Sequence, residues 1–315
     1  MPKTMLIDAA HAEETRVVVV DGNRVEEFDF ESQNRKQLRG NIYLAKVTRV
    51  EPSLQAAFVE YGGNRHGFLA FSDIHPDYYA IPHDDQEAIK AELAKAVKEG
   101  GTGLTETALQ KRVVDAVRAK GCEFDTLPIV GFGPNAADPH YEPVAGKDAT
   151  LGKDTVILLD LWAGKTKDTV FADQTWMGFS GKDVPAKVME VWTVVRDARD
   201  AAIRKVQETV KAGKPLSGYE VDRASRDHIE GQGYGKWFVH RTGHSIDRDL
   251  HGSGPHMDDY ETHDERRLIP GVGFSVEPGV YLTGEFGVRS EINMFWGPGG
   301  PEVTPVAPQR DLIIA

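Results

Sequence analysis

The sequence predicts an α+β protein in two pieces, a small β piece followed by a larger mixed domain. Three features carry that expectation. The first 80 residues are short β-branched and aromatic runs, residues 84–121 switch to a helical period, and the remainder mixes buried-strand runs with two further helices. A length of 315 residues suits two domains of roughly 100–200 residues each.

In the first piece, RVVVVD (16–21), NIYLAKVTRVE (41–51), AAFVEYG (56–62) and HGFLAF (66–71) read as strands. Asp21-Gly22-Asn23 and Gly62-Gly63-Asn64 read as hairpin turns. DDQEAIKAELAKAVKEG is rich in helix formers and stops at Gly100-Gly101. TETALQKRVVDAVRAKG follows as a second helix, with Leu109, Val113, Val114 and Val117 on one face and Gly121 at its C-terminal cap. TVILLDLW (155–162) and DTVFADQTW (168–176) read as strands. Residues 184–212 form the longest helix, ended by Gly213 and Pro215, and a shorter one from Ser217 breaks at Gly231-Gln232-Gly233. The domains are placed at 1–85 and 86–315, where strand composition gives way to helix.

Composition excludes several classes. Hydrophobic residues are 40% and charged residues 27% of the chain, which excludes wholesale disorder. No window approaches ~18 uninterrupted apolar residues, so no membrane span is expected. The single cysteine, Cys122, excludes an internal disulfide and a CxxC zinc site. The chain opens MPKTMLIDAAHAEE, with acids where a signal peptide carries apolar residues, and a cytoplasmic setting is expected. The net charge of −12 argues against a general nucleic-acid binder. A local basic cluster, Arg35, Lys36, Arg39, Lys46 and Arg49, reads first as a solvated face.

Five residues in the larger piece have the chemistry of metal ligands. Asp160 ends the apolar run VILLD, Asp173 lies in VFAD, His244 in HRTGH, Glu277 in FSVEPG and Glu291 in VRSEIN. Taken singly, an acid at a strand end is usually a cap or a salt-bridge partner. Carboxylates beside apolar strands nevertheless need compensating charge, because an unpaired buried charge is costly. Four carboxylates and one imidazole make a hard, oxygen-dominated set that two dications would balance.

The strings PIVGFGPNAADPHYEP, ILLDLWAGKTKDTVFADQTW, FVHRTGHSIDRDLHGSGP, GVGFSVEPGVYL and EFGVRSEIN occur in the order found in the pita-bread metallopeptidases, and residues from about 104 to 315 resemble that family. It includes Xaa-Pro aminopeptidase, prolidase and methionine aminopeptidase. The resemblance implies a pita-bread, creatinase/aminopeptidase-like fold. It implies two divalent ions, manganese first with cobalt, iron or zinc as alternatives, held by Asp160, Asp173, His244, Glu277 and Glu291, with Asp173 and Glu291 bridging. An activated hydroxide would attack the scissile carbonyl, and Glu277 would take and return the proton. His240 and His251, in an HxxxHxxxxxxH spacing with His244, would steady the oxyanion and the substrate carbonyl. His140, in PHYEP, matches a substrate-side histidine. Arg289 is expected to bind the substrate carboxylate or to pair with a ligand acid. One departure is that Asp160 and Asp173 are thirteen apart where many members place the pair eleven apart, which a longer hairpin accommodates.

Residues 4 to about 85 resemble the N-terminus of ribonuclease E/G, on MLIDAAHAEETRVVVVDGNRVEEFDFE and GNIYLAKVTRVEPSLQAAFVEYGGNRHGFLAFSDIHPDYY. In that family the stretch begins an RNase H-like element and then an OB-fold RNA-binding domain. Here the resemblance implies an incomplete β-barrel-like piece, with about three of the five OB strands, in which Phe58 and Phe68 match base-stacking positions. The family's catalytic carboxylates and zinc-linking cysteines lie further along its chain, so RNA cleavage is not expected. The chain reads as a fusion or chimera that places this piece where prolidases usually carry a creatinase-like domain. The leading expectation is a dinuclear metal-dependent hydrolase that removes the N-terminal residue of peptides, with proline second. The competing expectation is a non-catalytic RNA-binding or scaffold protein. Expected partners are a peptide substrate and a second copy of the chain, with weak RNA contact at most and no membrane.

Overall fold

The protein's computed structural model describes residues 4–11, 14–22, 24–32, 46–51, 56–61, 67–70, 83–165, 170–247, 251–297 and 299–315. The chain divides into two units, Met1–His75 and Pro76–Ala315.

Among the described residues, the first unit holds two antiparallel sheets of three strands each. One contains β1 (Thr4–His11), β2 (Glu14–Asp21) and β3 (Arg24–Ser32); the other contains β4 (Lys46–Glu51), β5 (Ala56–Glu60) and β6 (Gly67–Ala70). The sequence reading found β2, β4, β5 and β6 but not the strands flanking β2. The Phe28-Asp29-Phe30-Glu31 alternation of β3 is a period-two signal that Val25 breaks, and the ladder shifts register between Val19 and Val20. Gly22 adopts φ 58° in the β2–β3 turn, a left-handed conformation that glycine accepts without strain. Phe58 and Phe68 are register partners across β5 and β6. Arg35, Lys36 and Arg39 of the basic cluster and the Gly62-Gly63-Asn64 turn lie outside the described residues.

The second unit opens with α1 (His83–Ala96), which ends in a 3-10 turn at Val97–Glu99, and α2 (Glu106–Arg118). Thr105 caps α2 by accepting from the Ala108 N–H, and Leu109, Val113, Val114 and Val117 are all buried, as their spacing predicts. The C-cap is Ala119; Gly121 comes two residues later and carries the following turn at φ 85°. Next come β7 (Glu123–Phe124), β8 (Ile129–Phe132), β9 (Val156–Gly164) and β10 (Ala172–Phe179). The 26-residue α3 (Ala186–Lys211) follows, then α4 (Gly218–Gly231), which Ser217 and Glu220 start with a capping box. The last third is strand and loop: β11 (Ser245–Ile246), β12 (Gly273–Val276), β13 (Gly279–Leu282), β14 (Phe286–Arg289), β15 (Ile292–Gly297), β16 (Gly300–Thr304) and β17 (Ile313–Ile314).

These strands form a five-stranded sheet, β17-β10-β9-β7 with β8 also on β9, a four-stranded sheet, β11-β12-β15-β16, and the β13-β14 hairpin. The continuous apolar run of β9 reflects burial on both faces. Ile157, Leu159 and Leu161 pack with Leu93, Leu109 and Val113 from α1 and α2. Val156 and Leu158 pack with Val191, Trp192 and Val195 of α3 and with Val280 and Val288 of β13 and β14. Strand alternation gives Asp160 the second of these faces, so a carboxylate enters the layer between β9 and β14. The C-terminal half of α3 (Ala202, Ile203, Val206) covers a third cluster with Val221 of α4 and Phe274, Val276 and Ile292 of the four-stranded sheet. One long helix therefore spans the cores behind both sheets. Among the described residues no helix is long and apolar enough to cross a membrane.

Candidate metal centre

The site grows from strand alternation. Asp160 faces Thr175 across the β9–β10 ladder, and Asp173 faces Trp162. Directly opposed residues share a face, as do residues two apart, so Asp160, Thr175 and Asp173 project together. Arg289, Glu291 and Asn293 repeat the same two-residue spacing at the end of β14 and into β15. Asn293 joins the two sheets. Its Oδ1 accepts from the Asp173 N–H at 3.0 Å and its Nδ2 donates to the Asp173 carbonyl at 2.8 Å.

His244 comes from the loop before β11. Gly243 lets this loop lie against β12, since a Cβ there would meet the Ser275 carbonyl oxygen at 2.0 Å. The His244 N–H donates to Ser275 Oγ at 2.9 Å, and that hydroxyl donates to Glu277 Oε1 at 2.9 Å. His244 Nδ1 lies 3.0 Å from the Ser245 carbonyl, an acceptor only, so Nδ1 carries a proton and Nε2 is the nitrogen left for a cation. Nε2 points at Asp173 Oδ2, 3.1 Å away, and at Glu277 Oε1, 3.4 Å away.

Asp173, His244 and Glu291 offer ligand atoms within 4.8 Å of one another, all buried. Glu291 Oε2 accepts from the Thr175 hydroxyl at 2.7 Å, while the buried Glu291 Oε1 has no hydrogen-bond partner. An orphaned carboxylate oxygen aimed among three other acids fits a cation, and the hard donor set fits a divalent one.

The electrostatics agree. Burial, followed by the charges of Asp173, Glu277 and Asp160, holds Glu291 well above the usual carboxylate range. Burial also raises Asp173 to about 6, and it raises Asp160 against the opposing pull of Arg289. Glu277 differs. Burial pushes it up, but the charges of His244 and Arg289, with a hydrogen bond from Ser275, outweigh burial and hold it below its ordinary value. Burial pulls His244 down, but its hydrogen bond to Asp173 and the charge of Glu277 hold it up at about 9. A bound cation must displace these protons. Manganese affinity is therefore expected to fall as pH drops from 8 to 5, by about tenfold per unit for each proton displaced. Titration of the metal-free protein with Mn²⁺ at unit intervals checks this, and a pH-independent affinity would remove His244 and Asp173 from the ligand set.

All nine site residues expected in this unit line one cavity of about 210 Å³. The five ligand candidates are among its lining residues. His240 is held by two contacts, Nδ1 donating to the Arg241 carbonyl at 2.7 Å and Nε2 accepting from the Tyr281 hydroxyl at 2.7 Å. Burial lowers it to about 4, so it is neutral. His251 meets His244 edge-on at 4.6 Å between ring centroids. Burial and the charge of His244 hold it below its ordinary value. His140 sits at the rim, its N–H donating to Asp138 Oδ1 at 3.0 Å. Of the two roles expected for Arg289, the structure shows the ion pair with Asp160; its Nε also donates to Thr175 Oγ1 at 2.8 Å. Four supporting residues escaped the sequence reading. Thr175 and Asn293 were signalled by their two-residue offsets from Asp173 and Glu291. Ser275 has the same offset from Glu277, and Tyr281 had no comparable signal.

A sequence profile of metallopeptidase family M24 matches residues 85–295. The Xaa-Pro dipeptidase of Lactobacillus helveticus is 32% identical over 192 residues, which cover 60% of this chain and 48% of that enzyme. The crystal structure of an X-Pro aminopeptidase from Thermotoga maritima superimposes with a TM-score of 0.62 at 25% identity, covering 74% of this chain and 62% of that one. The N-terminal piece matches ribonuclease E of Haemophilus influenzae, 53% identical over 77 residues, or 24% of this chain and 8% of that protein. The chain thus spans less than half the length of these two curated relatives. With the profile covering two thirds of its length in one uninterrupted stretch and a pita-bread fold around the site, the chain belongs to metallopeptidase family M24.

Proposed function

We propose that this protein is a dinuclear metal-dependent peptidase that removes the N-terminal residue from short peptides with proline in the second position. The observation that carries the reading is the buried Asp173–His244–Glu291 cluster with an unpartnered Glu291 oxygen. Asp160, Asp173, His244, Glu277 and Glu291 would hold two divalent ions, with Asp173 and Glu291 shared between them. Bound dications supply Lewis acidity and a water that ionises near neutral pH. The chain's own groups do the rest. Glu277, kept ionised by the surrounding cations, takes a proton from the nucleophile and returns it to the leaving nitrogen. His251, on the cavity wall, would donate to the substrate carbonyl, while His240, whose ring nitrogens are engaged by the Arg241 carbonyl and the Tyr281 hydroxyl, would hold that hydroxyl against the cavity. Ile129 and Trp162 give the cavity an apolar side that suits a proline ring.

The test pairs metal analysis of the purified protein with hydrolysis of Ala-Pro and Ala-Ala peptides in manganese or cobalt. Two ions per chain and faster cleavage of the Ala-Pro peptide support the reading. A metal-free protein, or one with no peptidase activity when loaded, ends it.

Among the described residues, the buried clusters of the second unit draw on residues from Ile89 onward. A chain beginning at Pro76 is therefore expected to stay soluble, bind two ions and keep most of its turnover, as checked by metal analysis and peptide assay. Insolubility of that chain would make residues 1–75 integral to the fold.

The ribonuclease-like piece supports at most a weak contact with single-stranded RNA, through Phe58, Phe68 and the basic cluster. With a net charge of −12, binding is expected to be salt-sensitive, without sequence preference and negligible near 150 mM salt. Filter binding across a salt series checks this. Tight, sequence-selective binding that collapses on Phe58→Ala would overturn it.

A further inference from the structure

Residues 238–244 carry His240 and His244, yet no regular element holds them. They run between a 3-10 turn at Gly235–Trp237 and β11. Every buried backbone polar group needs a partner, so the hydrogen bonds of this loop show what positions it. On one side the partners come from the strand region. The Glu277 N–H donates to the Thr242 carbonyl at 2.7 Å, the Ser275 N–H donates to the His244 carbonyl at 2.8 Å, and Gly243 exchanges two bonds with Met257. On the other side the partners are two charged side chains of α4. Arg226 donates to the Phe238 carbonyl at 3.2 Å and to the His240 carbonyl at 2.7 Å. Asp222 accepts from the Thr242 N–H at 2.8 Å.

The two α4 residues also bind each other. Arg226 Nε donates to Asp222 Oδ2 at 2.7 Å and Nη2 donates to Oδ1 at 3.1 Å, one helical turn apart. The side chains are 0% and 5% exposed for Asp222 and Arg226 respectively. The guanidinium lies between the rings of Phe238, at 4.2 Å, and Tyr260, at 4.7 Å. A buried ion pair is a poor device for stability alone, because desolvation consumes most of its Coulomb energy and an apolar pair of similar volume often serves as well. This pair does something an apolar pair would not do, which is to fix two carbonyls and one N–H of the histidine loop.

We propose that the buried Asp222–Arg226 pair of α4 is a positioning device for the metal centre. It sets the backbone of residues 238–242 and thereby aims His240 at the cavity, His244 at Asp173 and, through the Thr242 carbonyl, the start of the Glu277 turn. A lysine at 226 would keep the charge without the planar fork that reaches Asp222 and both carbonyls at once. The catalytic consequences rest on the peptidase reading; the geometric ones do not.

The test uses the full chain with both residues replaced by apolar ones, Asp222→Leu with Arg226→Met. The expected result is a folded protein with a thermal midpoint near that of the wild type, Mn²⁺ affinity lower by about 10–100-fold, and a fall in kcat larger than any change in KM. The ring ¹⁵N shifts of His240, read in metal-free protein, should move from the Nδ1–H tautomer toward an averaged value. A folded double variant with wild-type Mn²⁺ affinity and wild-type His240 shifts overturns the proposal. If that variant does not fold, Arg226→Lys decides it: intermediate losses in the same measurements support the device, and wild-type values overturn it. A wild-type protein that binds Mn²⁺ but cleaves no peptide would end the peptidase reading, and the affinity and ring-shift comparisons would still decide this one.

Discussion

Alanine at Asp173 or Glu291 is expected to empty the metal centre and abolish peptide hydrolysis, a loss well beyond the roughly 10–100-fold that removing a supporting hydrogen bond causes. Both carboxylates are buried within 4.8 Å of His244, and both would serve two ions, so either substitution removes a ligand from each. Asp173→Ala also strips His244 Nε2 of its 3.1 Å partner. Asp160→Ala should remove less metal, because Asp160 is engaged by Arg289. It carries a different penalty: a buried guanidinium without its counter-ion destabilises the fold by about 3–5 kcal/mol. Asp160→Asn separates the two effects by keeping a hydrogen-bond acceptor beside Arg289. Elemental analysis and an Xaa-Pro peptide assay on each purified variant check the ranking. An Asp173→Ala protein that still carried two ions and cleaved peptide would remove Asp173 from the centre.

Much of this site can be read from the sequence because strand geometry is periodic. Asp160 is conspicuous as an acid after four apolar residues, and the strand that carries it is buried on both faces. Thr175, Arg289 and Asn293 sit two residues from ligand acids, so alternation alone places them on the ligand face. What could not be read depends on tertiary approach. Tyr281 reaches His240 from β13, 41 residues away. The contact of Asp222 and Arg226 with the histidine loop requires α4 to pack beside it, and on the helix itself their i,i+4 spacing is indistinguishable from an ordinary surface ion pair. In the first unit the strands flanking β2 were missed because a register shift breaks the two-residue period.

His251→Ala is expected to lower turnover by about 10²–10³-fold while leaving metal content nearly intact, the signature of a group that acts on the transition state and not on the ions. His251 lines the same cavity as the ligand acids but is not one of the three residues, Asp173, His244 and Glu291, whose ligand atoms converge. It touches His244 through a ring edge, and among the described residues its ring nitrogens make no hydrogen bond. Desolvation in the cavity and the neighbouring charge of His244 hold it below its ordinary value, which favours the neutral imidazole. A neutral imidazole can donate one hydrogen bond to a carbonyl oxygen that gains charge during attack, and that bond strengthens as the reaction proceeds. The loss should therefore fall mainly on kcat, with KM changing little. His244→Ala is the contrasting variant and should lose metal first and activity as a consequence. If His251→Ala loses its ions while His244→Ala keeps them, the two histidines exchange roles. If His251→Ala leaves both turnover and metal unchanged, His251 is part of the cavity wall only.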